Sequence, residues 1–214
     1  NLSFKIEETE RFVIERINIY GNSITRENVI RNQLIIDEGD PYNDILAKKS
    51  INEIKSLNFF SDVKTEVIEG EDLNSKVINI TVKEKPTGEI MAGAGFGTSG
   101  EVIEFSVREN NYLGKGLGVD TALSLSSESI VGKFNVTNPN YNNTDKMVFS
   151  SFKASEIDRL TSSGYKTNKT GFELGTKFEY LEDFKLGASG RSYYEKIETD
   201  STASATQQKQ EDER

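Results

Sequence analysis

The stretch VINITVKEKPTGEIMAGAGFGTSGEVIEFSVREN, residues 77–110, holds two kinds of pattern joined at Lys85-Pro86-Thr87-Gly88. Upstream of the joint, Ile78, Ile80 and Val82 share one face of a strand over 75–84, a half-buried alternation. Downstream, Ile103, Phe105 and Val107 point one way while Glu104, Ser106 and Arg108 point the other. Before the joint the chain mixes strand and helix patterns. After it come only short alternating runs separated by Gly, Asn and Ser turns. The joint reads as a domain boundary.

Downstream, alternation predicts seven strands, over 87–97, 101–109, 117–126, 130–137, 146–156, 169–180 and 184–197. Each is roughly 10 residues or slightly longer, the length a tilted strand needs to cross a bilayer. Val119, Thr121, Leu123 and Leu125 oppose Asp120, Ala122, Ser124 and Ser126, and Phe172, Leu174 and Phe178 oppose Glu173, Gly175 and Lys177. One face suits lipid and the other a wet lumen. A soluble β-sandwich would show the same alternation, with its apolar face against a second sheet. The small and charged residues on the second face tilt the reading toward an antiparallel transmembrane β-barrel fragment. Complete bacterial barrels carry an even number of strands, eight or more.

Upstream, residues 12–20 alternate with Val13, Ile17 and Ile19 on one face and stop at Gly21-Asn22. Thr25 is the expected N-cap of a short helix through Leu34, with Val29, Ile30 and Leu34 facing one side. DEGDPYND breaks that helix, and Asn43 or Asp44 starts a second one through Leu57, striped by Leu46, Ser50, Ile54 and Leu57. A strand over 62–69, with Val63, Thr65 and Val67 on one side, turns near Gly70 into the 75–84 strand. The result is an α+β domain of order β-α-α-β-β over residues 12–86, enough for a small two-layer core. Phe59-Phe60 belongs to that core. Tyr112, Tyr141, Tyr180, Phe184, Tyr193 and Tyr194 cluster near strand ends, where either an interfacial girdle or plain packing would place them.

The chain carries 35 acidic and 26 basic residues for a net charge of −9, mixed along its length, with mean hydropathy −0.55. No basic stripe offers phosphate contacts, which argues against nucleic acid as a partner. There is no Cys and no His, so thiolate chemistry, Ser-His-Asp arrangements and the commonest metal ligand are excluded. No apolar run approaches the roughly 20 residues of a membrane-spanning helix. GFGTSG (Gly95, Gly97, Gly100) matches the dinucleotide fingerprint in letters, but that fingerprint must open a helix. EVIEFSVRE follows instead, and a hairpin is the reading. The pairs Asp37-Glu38, Glu71-Asp72 and Glu182-Asp183 lack calcium-loop spacing and read as solvated turns. No enzyme activity, cofactor or metal is expected. The opening NLSFKIEE lacks signal-peptide features, and the polar end SATQQKQEDER looks unstructured, so the chain is expected to begin and end inside a longer protein.

Four runs in order, FVIERINIYGNSITRENVIRNQL, EGDPYND, LNFFSDV and VINITVKEKPTGE, resemble the membrane-proximal POTRA domain of the BamA family, the outer-membrane protein assembly factors of Gram-negative bacteria. GAGFGTSG, EFSVRENNYLGKG and FNVTNPNY resemble the start of that family's barrel. The N-Y-L-G-K-G and V-T-N-P-N-Y turns, in that order behind a POTRA, are specific together, and the likeness runs from residue 12 to residue 197. It implies that residues 1–11 end a preceding POTRA domain, that 87–199 are the first strands of a sixteen-stranded barrel, and that 200–214 begin an extracellular loop. NNYLGKG, NPNYNNTDK and LED would be periplasmic turns; TSG, SSES and 157–168 would be extracellular.

The resemblance further implies localisation in the outer membrane with the POTRA domain in the periplasm. The implied function is insertion of β-barrel proteins, and the implied partners are unfolded outer-membrane proteins, periplasmic assembly lipoproteins and outer-membrane lipid. The first barrel strand would be the gate on which client strands are templated, with Gly88, Ile90, Ala92, Gly93, Ala94, Gly95, Phe96 and Gly97 as its residues. Its glycines suit an edge that must separate, because Gly weakens strand pairing and packs little. Close packing or a bend would explain them equally without the family. Arg31 and Glu38 match the family's lipoprotein-docking positions, whereas Ile35 stands where a basic residue is often found. A POTRA-barrel secretion pore of the two-partner type is the alternative function.

Overall fold

The computed structural model describes residues 11–97, 100–181 and 184–212, and the chain divides into two compact units at Pro86/Thr87. The end of a preceding domain expected at 1–11, the TSG and LED turns and the last two residues fall wholly or largely outside the described residues.

The first unit follows the expected order, with β1 (Val13–Tyr20), α1 (Glu27–Arg31), α2 (Asp44–Ser56), β2 (Phe60–Glu69) and β3 (Ser75–Glu84). β3 lies in the centre, parallel to β1 and antiparallel to β2. Its Ile78, Ile80 and Val82 are buried as predicted, and meet Ile17, Val29, Ile30, Ile54 and the Phe59-Phe60 pair in one core. Burying each such side chain is worth about 1.5–3 kcal/mol. On α2, Asn43 is the N-cap, its Oδ1 accepting from the N–H groups of Ile45 at 2.9 Å and Leu46 at 3.2 Å. Ser50, 1% exposed, donates to the carbonyl of Leu46 and accepts the N–H of Ile35, which ties the inter-helix loop to α2.

Four expectations for this unit need correction. Ile14, not Val13, enters the core: β1 carries a bulge between Ile14 and Arg16 that shifts the alternation by one residue. Thr25 does not head α1. Arg26 occupies the cap with no side-chain bond, because Thr25 is drawn to the carboxylate of Glu84 by both its hydroxyl and its N–H, the latter at 2.6 Å. α1 also stops at Arg31 and tightens into turns, with Gln33 donating to Ile30 and Leu34 to Arg31. Finally, Val67 on β2 is 37% exposed. A 13-residue helix is about 20 Å long and a 10-residue strand about 33 Å, so α2 covers only the first half of β2.

The second unit is a seven-stranded antiparallel meander in which each strand pairs with its chain neighbours, running β4 (Gly88–Gly97), β5 (Gly100–Tyr112), β6 (Leu117–Ser126), β7 (Ser129–Asn138), β8 (Lys146–Arg159), β9 (Tyr165–Leu181) and β10 (Phe184–Thr199). The predicted strands are all present, several of them longer. β8 and β9 take in most of the 157–168 stretch expected to be loop, with only the four-residue α3 (Leu160–Ser163) between them. The fingerprint-like Gly95, Gly97 and Gly100 lie across a hairpin, with Gly97 opposite Gly100.

The tail also departs from expectation, since Ala205–Asp212 forms a helix, α4. A reciprocal capping box starts it: Ser204 N–H donates to Gln207 Oε1 at 3.1 Å, and Gln207 N–H to Ser204 Oγ at 3.4 Å.

Candidate functional site: the edge strand of the barrel sheet

Pairing registers sort the second unit into two faces. Ala92, Phe105, Leu123, Gly132, Ala154, Thr170 and Tyr194 follow one another across the seven strands on the apolar face. On the opposite face one row runs Glu89, Arg108, Asp120, Asn135, Ser151, Glu173 and Arg191. Arg108 pairs with Asp120 at 3.3 Å, Asn135 donates to Asp120 at 3.1 Å, Ser151 to Asn135 at 2.6 Å, and Arg191 pairs with Glu173 at 3.0 Å. Phe105, Leu123 and Phe172 on the apolar face are 42–47% exposed. Among the described residues no second layer of the sheet's own unit covers them.

β4 is one edge of this sheet. Among the described residues it pairs only with β5, in unbroken register from Gly88↔Glu109 to Gly97↔Gly100. All ten of its residues are exposed. Gly88, Ile90, Ala92, Ala94 and Phe96 fall on the apolar face, while Gly93, Gly95 and Gly97 lie on the polar face. A side chain added at Gly93 or Gly95 would meet nothing within 4 Å. These glycines therefore answer to no close contact in the described chain. What they remove is cross-strand side-chain pairing, so β4 is held to β5 mainly by backbone hydrogen bonds.

The start of β4 is braced. Thr87 Oγ1 hydrogen-bonds Glu109 Oε1, and the same carboxylate oxygen accepts the N–H of Asn111 at 2.7 Å. The Thr87 carbonyl accepts from the Asn110 side chain at 3.2 Å. Asn111, 6% exposed, closes the following turn by accepting the N–H of Gly116 at 2.8 Å. Sequence reading missed Thr87, Glu109 and Asn111, because their pairing depends on a register that no local pattern announces. Gly93 and Gly95 stand at the loose stretch; Glu109 stands at the fixed end.

In the first unit, Arg31 and Glu38 come together on the edge of β1. Glu38 Oε1 accepts the N–H of Ile17 at 3.0 Å, Arg31 Nη2 donates to the carbonyl of Ile17 at 2.8 Å, and Arg31 also pairs with Glu27 at 2.7 Å and with Glu38 at 3.6 Å. Loop 37–42 lies along the same edge, where Ile14 donates to Asp40 and accepts from Gly39. The β1 edge is thus closed by side chains and loop, while the opposite edge, β2, is exposed from Lys64 to Glu69. Ile35 is 43% exposed.

Residues 12–85 match the POTRA family, described as surface antigen variable number repeat. The chain is 34% identical over 117 residues to the outer membrane protein assembly factor BamA of Neorickettsia risticii, covering 53% of this chain and 15% of that protein. It is 26% identical over 148 residues to BamA of Nitratidesulfovibrio vulgaris, covering 68% and 18%. The crystal structure of BamA from Haemophilus ducreyi lacking POTRA domains 1–3 superposes with a TM-score of 0.78 at 19% identity, over 90% of this chain and 37% of that one. Both units thus resemble BamA, the first in its POTRA domain and the second in its barrel fold. CdiB from Escherichia coli shares the fold more loosely, with a TM-score of 0.60 at 12% identity over 87% of this chain and 38% of that one. The chain spans less than a fifth of the length of the two BamA relatives, and it places the POTRA-like unit directly before the seven-stranded sheet.

Proposed function

We propose that the chain is the POTRA-to-barrel segment of an outer-membrane machine that assembles and inserts β-barrel proteins, without covalent chemistry. In this reading the sheet sits in the outer membrane with the POTRA domain in the periplasm. The observation that carries it is the character of β4. An edge strand exposed along its whole length, poor in side-chain pairing and anchored just before its first residue, at Thr87, offers main-chain donors and acceptors to an incoming strand. Gly88, Ile90, Ala92, Gly93, Ala94, Gly95, Phe96 and Gly97 would template the client strand. The β2 edge would guide extended client segments in the periplasm, and assembly lipoproteins would dock near Arg31 and Glu38. The alternative, a POTRA-barrel secretion pore, shares this architecture, and the two readings part on whether a client strand pairs with β4.

The test is disulfide cross-linking in cells between single cysteines at positions 93, 95 and 97 of the full-length protein and a stalled barrel client carrying cysteines in its terminal strand. A ladder of cross-links in one register supports templating. Absence of β4 cross-links while clients still reach the protein sinks it.

A further inference from the structure

One register row on the polar face of the sheet runs Lys133, Lys153, Gly171 and Tyr193 across β7 to β10. The row on one side carries Lys169 and the row on the other carries Arg191. Both of those cations are neutralised, Lys169 by Glu195 at 3.2 Å and Arg191 by Glu173 at 3.0 Å. Lys133 and Lys153 are not: they stand directly opposite one another, both exposed, with no ion pair among the described residues. With Ser151, Ser155 and Gly171 they line an open groove of about 490 Å3.

Like charges directly opposite each other destabilise a sheet, and a site walled by protein screens them less than open water does. Solubility alone would be met by hydroxyls, as at the neighbouring Ser151 and Ser155. The groove's floor is bare at Gly171, where an added Cβ would come within 3.2 Å of the Tyr193 Cβ. Tyr193 is held beside that floor by the Lys169 ammonium, 4.0 Å from its ring centroid. Two uncompensated cations, a bare strip of backbone and an aromatic wall therefore lie in line.

We propose that this groove binds an acidic segment of polypeptide, its carboxylates between Lys133 and Lys153 and its backbone passing over Gly171 beside Tyr193. Charge complementarity selects carboxylates. The length of the row selects a chain over a lone anion: four strands about 4.8 Å apart make a row roughly 14 Å long, matching about four residues of extended chain. A single small anion would use the lysine pair and leave Gly171 and Tyr193 idle.

The full-length protein in nanodiscs of neutral lipid is titrated with a fluorescent glutamate-rich peptide and, separately, with inorganic phosphate. The expected result is saturable peptide binding that weakens with salt, falls roughly tenfold or more in the Lys133→Gln/Lys153→Gln double variant, survives in the Lys133→Arg/Lys153→Arg variant, and is unchanged by Lys177→Gln, on the same face outside the groove. Heat stability should rise on adding peptide to the native protein and to the arginine variant but not to the glutamine variant. Peptide affinity unchanged by the glutamine pair overturns the proposal. So does binding of phosphate without peptide, or binding of neither.

Discussion

At the scale of single residues, the POTRA unit is held by carboxylates acting on backbone. Glu84 accepts the N–H groups of Ile24 at 2.9 Å and Thr25 at 2.6 Å. Desolvation pushes its pKa up, but the N–H and hydroxyl of Thr25 with the N–H donors of Ile24 and Ser23 outweigh this and leave it below its ordinary value. Glu15 is lowered too, chiefly by the hydroxyl of Ser75 and then by the N–H groups of Asp72 and Glu71. A depressed carboxylate contributes stability that is present above its unfolded pKa and is lost as pH falls through its folded pKa. The POTRA unit should therefore lose stability on acidification below the unfolded carboxylate value of about 4.3. Glu84→Gln should flatten that dependence, which circular dichroism against urea at stepped pH will show; an unchanged slope refutes the role of Glu84. Gly70 belongs to the same device, since a Cβ there would lie 2.0 Å from Ser75 Oγ and 2.1 Å from Glu15 Oε2. Gly70→Ala should displace the Glu15 carboxylate and lower stability, whereas the same change in a Glu15→Ala background should lower it less, a coupling that a double-mutant cycle measures.

At the scale of elements, the two helices of the POTRA domain differ in how they are started. α2 has a side-chain cap and α1 has none. Asn43→Ala should cost about 0.5–2 kcal/mol, read as a lower urea midpoint at unchanged slope. β4 is the element where function and stability pull apart. Gly93→Val with Gly95→Val adds β-branched side chains on the polar face with nothing nearby to clash, so pairing with β5 should strengthen. Client assembly by the full-length protein should slow while its own heat stability does not fall. Unimpaired assembly in that double variant argues against β4 as a strand that exchanges partners. Arg31 and Glu38, chosen from sequence for docking, turn out to close the β1 edge at Ile17. Charge reversal at either would disturb the domain's own edge as well as any partner, and thermal unfolding must be read alongside any binding experiment on them.

At the scale of the whole molecule, the two units dispose of their apolar side chains differently. The POTRA unit buries Ile14, Ile17, Ile30, Ile54 and Ile80 almost completely. The seven-stranded sheet instead leaves Ile90, Phe96, Phe105, Phe134 and Phe172 exposed, and ends in two edge strands. Expressed as these 214 residues alone, the chain should give a cooperatively folding POTRA unit attached to a sheet that aggregates in water and disperses in detergent. Sedimentation with and without detergent tests this, and a monodisperse sheet in plain buffer contradicts it.

How far the sequence could be read follows from the range of each interaction. Period-two alternation is local, so all seven barrel strands, the break at Pro86 and the β-α-α-β-β order were legible from residue types alone. The Asn43 cap was legible for the same reason. The bulge after Ile14, the uncapped start of α1 and the burial limit on β2 were not, because each depends on a partner far along the chain: Ser75 and Lys76 opposite β1, Glu84 at the Thr25 N–H, α2 over only part of β2. The candidate site divides along the same line. Sequence by itself determined which residues make up β4 and that its glycines sit together. Only the tertiary structure decided that Glu109 and Asn110 fasten Thr87 just ahead of it, that Lys133 meets Lys153 across a strand gap, and that Arg31 and Glu38 converge on Ile17. Register and side-chain approach are set by contacts between distant segments, and composition within any one segment carries no record of them.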